Sequence, residues 1–357
     1  MLDYDKLKFN IKPMKKGFKL MTTIKDIAQA VGVSCTTVSN VIHGRAGRVS
    51  AETIALINET IDKLGYVPNM SARSLVSSSS KVIGMISHLA SNKKESFVED
   101  PFHSAFIGSL ERTLRENGYY LMVRTVETTS DLLAFLRNWN VDGLFCTGVF
   151  QDEFFDALSG LNIPIVLIDS YVTHPNMCNV GLEDYKGGYT ATKYLIEKGH
   201  KNIAFASPSI RERGVVYERF LGFKDALAEA NVPFHPEFVF EQELDVETTI
   251  SLGKNLANRT DISAVFATAD ILAAGIISGL QQSGKKVPDD ISVIGFDDIN
   301  LCQLTFPQLT TIHQDAPLKG KLAVNFLIDQ LENTPIKERE IILPIHLVER
   351  NSVKSIT

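Results

Sequence analysis

Short apolar segments alternate with amphipathic helical segments from residue 82 almost to the end of the chain. Strands are predicted at residues 82–87, 120–123, 143–146, 165–168, 203–206, 263–267 and 291–295. Helices are predicted near residues 103–117, 129–138, 152–159, 184–198, 216–230, 246–258, 270–283 and 317–332. This alternation is typical of parallel sheets flanked by helices. The strands are too many for one small sheet, so we expect two similar α/β lobes with a ligand cleft at the carboxyl ends of their strands.

Residues 23–43 have a different pattern, which predicts two short helices separated by Gly32. Apolar residues repeat at helical spacing, at Ile24, Ile27, Ala28 and Val31 and then at Val38, Val41 and Ile42. Thr23 and Ser34 can cap the two helices, and Asp26 completes a capping-box variant with Thr23. The pattern is typical of a helix-turn-helix, although an ordinary helical hairpin would show the same spacing. The face opposite Val38 carries small polar groups that fit a DNA major groove: Cys35, Thr36, Thr37, Ser39 and Asn40.

A third helix is predicted between Ser50, its cap, and Gly65, with a buried face formed by Ile54, Ile57, Ile61 and Leu64. The three helices would make an all-α head at residues 21–66, near the lower size limit for independent folding. Residues 67–81 are predicted to be a hinge with a short helix that folds on binding. Residues 1–20 show no clean period, and we expect a disordered extension. Either this extension is a basic arm that binds DNA, or translation of the protein starts at Met21.

The chain has 357 residues, and 44% of them are hydrophobic. No apolar run is long enough to span a membrane and no signal peptide is recognisable, so we expect a soluble, cytoplasmic protein. The four cysteines are far apart, which argues against both a disulfide framework and a zinc site. We expect Cys146, Cys178 and Cys302 to be buried thiols and Cys35 to face DNA.

The charge is distributed unevenly along the chain. Residues 1–80 carry 11 Lys or Arg against 6 Asp or Glu, whereas the remaining 277 residues carry 25 against 36. A cationic head on an acidic core is expected when one small module binds DNA and the rest should not. The signal depends strongly on residues 1–20, which contain six of the lysines.

The chain resembles the LacI/GalR family of bacterial transcription regulators over residues 22–353. The resemblance is carried, in order, by TIKDIAQAVGVS, TVSNVIHG, LGYVPNMSARSL, VDGLF, IPIVLID, YLIEKGHKNIAF, ERFLGF, VPDDISVIGFDDI, LTTIHQ and ERNS. It implies a DNA-binding head, a hinge helix and a two-lobed core at residues 82–357, related to periplasmic sugar-binding proteins. Three chain crossings would place about residues 82–180 and 313–342 in lobe 1, and about residues 181–312 and 343–357 in lobe 2.

The resemblance also implies a set of DNA contacts. It implies that Cys35, Thr36 and Asn40 contact bases and that Thr37 and Ser39 contact phosphates. Further predicted DNA contacts are Thr23, Ser34, His43, Asn69, Ala72 and Leu75. Leu75 matches a leucine that wedges into the minor groove, although a plain hydrophobic linker residue is the alternative. The chain departs from common family members at Asn40, where a longer basic side chain is frequent. Because Asn prefers adenine and Arg prefers guanine, the operator should differ from those of such relatives.

An effector site in the cleft follows from the same resemblance. It assigns ligand contacts to Asp169, Arg219 and Asp297, with His88, Phe102, His103 and Gln314 as secondary candidates. Carboxylates and a guanidinium suit a sugar because each can bond two adjacent hydroxyls. Asp169 and Asp297 have an alternative role as caps of strand-end turns, and Asp270 is expected to cap its helix rather than to bind ligand. Many relatives carry Asn where this chain has Ala269, so one familiar sugar contact is missing.

Catalysis is not expected, because the chain has no GxSxG, Walker, GxGxxG or HExxH motif, and we predict no catalytic residue, cofactor or metal site. A solute-binding protein of periplasmic type is the alternative, but it should carry a signal peptide and no DNA-binding head. A non-specific nucleic-acid coat does not fit an acidic core. We therefore expect a homodimeric repressor on a near-palindromic operator, controlled by a small molecule, for which a sugar or sugar derivative is the favoured class. Activation instead of repression stays open.

Overall fold

The computed structural model describes residues 22–42, 44, 45, 47, 49–66, 79–88 and 97–356. The chain divides into two compact units, residues 1–78 and residues 79–357. The predicted extension at residues 1–20 and the predicted hinge helix at residues 70–76 lie outside the described residues.

The head contains three helices, α1 (Ile24–Val31), α2 (Cys35–Ile42) and α3 (Ala51–Leu64). Thr23 starts α1 through a reciprocal pair of bonds, because its hydroxyl accepts the Asp26 N–H while the Asp26 carboxylate accepts the Thr23 N–H at 2.9 Å. Ser34 caps α2 by accepting the Thr37 N–H at 3.0 Å. Gly32 ends α1 with a φ of 75°, a left-handed conformation that favours glycine. The predicted helix-turn-helix is confirmed.

The core of the head is small. Its buried residues are Ile27, Ala28, Val38 and Ile57, which come from all three helices. The prediction that Leu64 is buried is wrong, since its side chain is 40% exposed. Leu64 lies in the last turn of α3, two turns beyond Ile57, and it is not among the residues that pack against this core, whereas Ile61 is.

The second unit is built from strands that alternate with helices. The strands are β1 (Val82–Ser87), β2 (Tyr120–Thr125), β3 (Gly143–Thr147), β4 (Ile165–Ile168), β5 (Cys178–Leu182), β6 (Ile203–Ser207), β7 (Val239–Glu241), β8 (Ala264–Ala267), β9 (Ser292–Asp297), β10 (Thr310–His313), β11 (Glu340–Leu343) and β12 (His346–Val348). The helices are α4 (Pro101–Glu116), α5 (Thr129–Asn138), α6 (Glu153–Ser159), α7 (Asp184–Glu197), α8 (Val215–Glu229), α9 (Val246–Leu256), α10 (Asp270–Gln282) and α11 (Ala316–Leu331).

These strands form two six-stranded sheets. The first has the order β11-β5-β4-β3-β1-β2 and is parallel throughout. The second has the order β12-β10-β9-β8-β6-β7, and only the pairing of β10 with β12 is antiparallel. The chain passes between the sheets three times, after β5, after β10 and after β11. The predicted fold class, an all-α head with a two-lobed parallel α/β core, is confirmed.

Five strands were not among the predicted ones, namely β5, β7, β10, β11 and β12. They have three to five residues each, and β7, β11 and β12 lie at sheet edges, where exposed polar residues interrupt the apolar pattern. Within the described residues, no helix is long and apolar enough to cross a membrane.

Close packing of α7 on α8 sets one wall of the cleft between the sheets. A Cβ added to Gly188 of α7 would lie 2.0 Å from the carbonyl oxygen of Arg219 in α8, and one added to Gly222 of α8 would lie 2.1 Å from that of Tyr185. Only glycine permits this approach of the two backbones. It holds the α8 backbone at Arg219 directly against α7.

Candidate DNA-binding and effector sites

The second helix of the head presents short polar side chains on its outer face. Cys35 and Thr36 are exposed, whereas Ser39 and Asn40 are half-buried. The Thr37 hydroxyl lies 2.9 Å from that of Ser34, so it also takes part in the helix cap. Such groups can approach base edges closely because they need little room. The remaining predicted contacts His43, Asn69, Ala72 and Leu75 lie outside the described residues.

A cavity of about 490 Å³ opens in the second unit, between strand ends of both sheets. Six of the seven predicted effector residues line it: Phe102, His103, Asp169, Arg219, Asp297 and Gln314. Asp169 directly follows β4 of the first sheet, and Asp297 ends β9 of the second. Both have left-handed backbones, with φ of 50° and 114°. Non-glycine residues in such conformations cluster at functional sites, which supports a role for both aspartates.

His88 is the exception among the predicted effector residues, because it is not part of the cavity lining. Its Nδ1 lies 2.9 Å from the carbonyl oxygen of Val126, and its ring stacks on Phe154 with centroids 3.7 Å apart. The imidazole is thus engaged by backbone and by an apolar ring, which explains why the assignment of His88 to the cleft does not hold.

Arg219 is held by a buried ion pair. Its Nε and Nη2 each lie 2.8 Å from Oδ1 of Asp184, and its Nη1 donates to the Thr268 carbonyl at 2.7 Å. The guanidinium also lies 3.5 Å from the ring centroid of Phe296. The Tyr171 hydroxyl donates to the second oxygen of Asp184 at 2.9 Å. The predicted ligand contact Arg219 is therefore a rigid donor whose charge is already balanced.

Burial sets the ionisation of this pair. The pKa of the Asp184 carboxyl is raised by loss of solvation, although the Arg219 charge opposes the rise. Burial disfavours the Arg219 cation, but the hydrogen bond to Asp184 and the negative charges of Asp184, Asp297 and Asp169 together outweigh it, so the pKa of Arg219 is raised. Burial removes water from both groups, so the charged form of each depends on the opposite charge of its partner.

A second chain of contacts joins Asp169 to Asp297. Lys319 of α11 donates to both carboxylate oxygens of Asp169, each at 2.7 Å, and to Oε1 of Gln314 at 2.9 Å. The Gln314 amide in turn donates to Oδ1 of Asp297 at 2.6 Å. Burial raises the pKa of Asp297 well above its usual range, against the effect of the nearby Arg219 charge. Three predicted effector residues are thus connected through one lysine.

The prediction that Asp270 caps its helix is wrong. Ala269 occupies the cap position of α10 without a side-chain bond, and Asp270 is the first helical residue. Its buried carboxylate accepts the Thr311 hydroxyl at 2.6 Å, the Cys302 thiol at 3.0 Å and the Ile299 N–H at 3.0 Å. Burial raises the pKa of Asp270 to about 6, although these bonds lower it. Asp270 therefore connects the start of α10 to the loop that follows β9. Asp297, the last residue of β9, directly precedes this loop.

Sequence reasoning missed Lys319 and Asp184. A signal for Lys319 was present, because it lies at helical spacing from the buried Ala316 and Ala323, on the apolar face of α11. A lysine at such a position is rarely buried without a counter-charge. Asp184 gave no comparable signal, since a carboxylate at the start of a helix is ordinary.

Comparisons with known proteins agree with this architecture. Residues 23–69 match the family model of bacterial regulatory proteins, lacI family, and residues 192–353 match that of the periplasmic binding protein-like domain. The HTH-type transcriptional repressor PurR of Vibrio campbellii (strain ATCC BAA-1116) is 35% identical over 345 residues, which cover 94% of this chain and 100% of the relative.

Two solved structures extend the similarity to three dimensions. The lac repressor dimer bound to operator and the anti-inducer ONPF is 25% identical with a TM-score of 0.77, covering 94% of this chain and 99% of that one. A complex of the transcriptional regulator CelR with cellobiose is 25% identical with a TM-score of 0.68, covering 93% and 99%. The chain therefore belongs to the LacI family of bacterial regulatory proteins and is a ligand-controlled, DNA-binding transcriptional repressor.

Proposed function

We propose that the controlling ligand is an uncharged polyol, a sugar or sugar derivative, bound in the 490 Å³ cavity. The observation that carries this proposal is the pairing of charge at two residues of the cavity wall, Arg219 and Asp169. Arg219 is balanced by Asp184, and Asp169 is balanced by Lys319. An uncharged ligand with several hydroxyls can bond to such groups without upsetting their balance.

Size and shape support the same class of ligand. The volume lies within the roughly 300–1,000 Å³ that small-molecule sites usually have. Asp169, Asp297 and Gln314 offer oxygen and nitrogen atoms for hydroxyls, and the Phe102 ring offers an apolar face. The cellobiose complex of CelR supports a carbohydrate. Ala269 presents a methyl group to the cavity, so the ligand would meet an apolar wall at that point.

We further propose that the repressor binds a near-palindromic operator as a homodimer. One recognition helix reads only a few base pairs, and two related by a twofold axis read matching half-sites. The dimeric lac repressor on its operator supports this arrangement. In each copy, Cys35, Thr36 and Asn40 would contact bases and Thr37 and Ser39 phosphates. Leu75 and Ala72 would act in the minor groove.

The ligand would act through the two lobes. Asp169 belongs to the first sheet and Asp297 to the second, so a ligand bonded to both favours one relative arrangement of the lobes. A coupling of roughly 1–3 kcal/mol to DNA binding would change operator affinity by about 5- to 150-fold. We propose no enzymatic activity. Within the described residues, no group of three His, Cys, Asp or Glu could hold a metal ion.

A thermal-shift screen of the full chain against neutral sugars, including D-ribose, D-glucose and cellobiose, tests this function. A true effector at 100 times its Kd should add about 2.7 kcal/mol of stability, a rise of roughly 5–10 °C in the melting temperature of the core. The hit should also change operator binding, measured by fluorescence anisotropy.

Gln314→Leu should abolish the shift, and Gln282→Leu, the same change on the exposed end of α10, should preserve it. A neutral heteroaromatic compound that shifts the core when all sugars fail would show that the polyol class is wrong.

A further inference from the structure

Lys319 is fully buried and has no bond left for a ligand. An ammonium group has three N–H donors, and here two meet Asp169 at 2.7 Å each while the third meets Gln314 at 2.9 Å. Its charge also lies 5.2 Å from the ring centroid of Phe102, which lines the cavity. Lys319 therefore sits directly behind the cavity wall and acts on it through the residues that it holds.

Packing does not require a charge at this position. Lys319 lies on the face of α11 that buries Ala316, Ala323 and Leu327, where an apolar side chain would continue the pattern. Replacing a buried ion pair by apolar groups of similar volume is often neutral for stability or even favourable. The ammonium therefore needs an explanation other than core formation.

The ammonium determines what the cavity presents to a ligand. Without it, Asp169, which lines the cavity and has a side chain that is 15% exposed, would be a carboxylate with no bonded counter-charge. With it, that charge is neutralised, and Gln314 is fixed with its oxygen toward Lys319 and its nitrogen toward Asp297. An amide held between a pure donor and a carboxylate has only one orientation that forms both bonds.

We propose that Lys319 is a specificity-determining residue of the effector cavity, which favours uncharged ligands over organic cations at Asp169. Lys319 does this without touching the ligand, by cancelling the charge of Asp169. The inference rests on the proposed function only in taking this cavity as the effector site. It does not depend on which sugar binds.

The test replaces each half of the pair and asks which charge the cavity then attracts. Lys319→Met leaves the Asp169 carboxylate facing the cavity, and Asp169→Asn leaves the Lys319 ammonium without its carboxylate. The probes are n-butylammonium, n-butyrate and the neutral n-butanol, applied to the full-length protein in a thermal-shift measurement at constant ionic strength.

The difference between the wild-type responses to n-butylammonium and n-butanol is the reference for each variant. Lys319→Met should gain a rise of roughly 2–4 °C with n-butylammonium over n-butanol, as expected for a probe near ten times its Kd. Asp169→Asn should gain a similar rise with n-butyrate. Lys321→Met, which removes an exposed lysine two residues away on α11, should behave as wild type.

Two results would overturn the proposal. One is a wild-type response to n-butylammonium as large as that of Lys319→Met. The other is the absence of any charge preference in the folded variants, with Lys319→Gln standing in for Lys319→Met if the latter does not fold. Loss of folding in Lys319→Met, Lys319→Gln and Asp169→Asn would assign the ion pair to stability and would also overturn the proposal. Failure of every sugar to bind wild type would contradict the proposed polyol and leave the charge preference readable.

Discussion

The head and the effector cavity organise their polar groups in opposite ways. In the head, the side-chain bonds that cap the helix starts join residues only three positions apart, as between Thr23 and Asp26 or Ser34 and Thr37. In the cavity, the buried ion pairs join distant parts of the chain, and Asp184 and Arg219 are 35 positions apart. The exposed side chains of Cys35 and Thr36 are therefore expected to tolerate change without altering the fold, whereas a change in the cavity also alters a long-range network.

Burial differs in the same direction. Cys35 and Thr36 are exposed, so their substitution should affect recognition and leave the head folded. Arg219 is only 7% exposed and Lys319 is fully buried, and both carry charge. For Arg219, a substitution is therefore expected to change ligand recognition and stability together.

The largest expected effect comes from Arg219→Ala. It leaves the Asp184 carboxylate buried without its counter-charge, which should lower the free energy of unfolding of the core by about 3–5 kcal/mol. Urea denaturation followed by the fluorescence of the single tryptophan, Trp139, measures this. Arg259→Ala is the matched control, because Arg259 pairs with Asp261 at an exposed site, where loss should stay below about 1 kcal/mol. Equal losses in the two variants would contradict the contrast between buried and exposed pairs.

A second prediction concerns the small core of the head. Ile57→Ala removes one of four buried side chains and should cost about 2–5 kcal/mol. A unit of roughly 45 residues has little stability to spare, so the head should unfold and operator binding should be lost. Circular dichroism at 222 nm should show the loss of helix, while the Trp139 signal of the core keeps its midpoint. Leu56→Ala, at a side chain that is 47% exposed, should keep the head folded. Simultaneous loss of both units would mean that they do not unfold separately.

The contrast also explains which features the sequence predicts. The helix starts at Thr23, Ser34 and Ser50 could be predicted because a cap and its partner lie within one turn. Strands β1 and β4 could be predicted because their apolar runs are continuous. Strands β5 and β10 could not, because polar residues within them are buried by tertiary contacts that a local pattern does not contain.

The cavity shows the same limit at the level of single residues. The family resemblance assigns Asp169, Arg219 and Asp297 one position at a time, and all three line the cavity. It does not contain the contact between Lys319 and Asp169, which are 150 residues apart. The role of Asp270 was misjudged for the same reason, since its three donors come from the loop and strand that follow β9. Ion pairs between residues that are distant in the sequence are visible only in the three-dimensional structure.

The smallest expected effect isolates a residue with two predicted roles. Thr23 caps α1 and is also a predicted DNA contact, so Thr23→Ala should cost the head about 0.5–2 kcal/mol through loss of the cap. Thr23→Ser keeps the hydroxyl and should preserve most of that stability. Thr60→Ala is the control, because its hydroxyl donates to the Leu56 carbonyl within a helix and its loss should stay within about 0.5 kcal/mol.

Temperature separates the two roles of Thr23. Well below the melting temperature of the head, Thr23→Ala is fully folded, so any remaining loss of operator affinity in fluorescence anisotropy reports the DNA contact alone. If that affinity equals the wild-type value, Thr23 serves only as a cap and the DNA assignment is wrong. If Thr23→Ser restores both stability and affinity, one hydroxyl performs both tasks. In that case stability and recognition would be coupled at Thr23 in the head, as we expect them to be at Arg219 in the cavity.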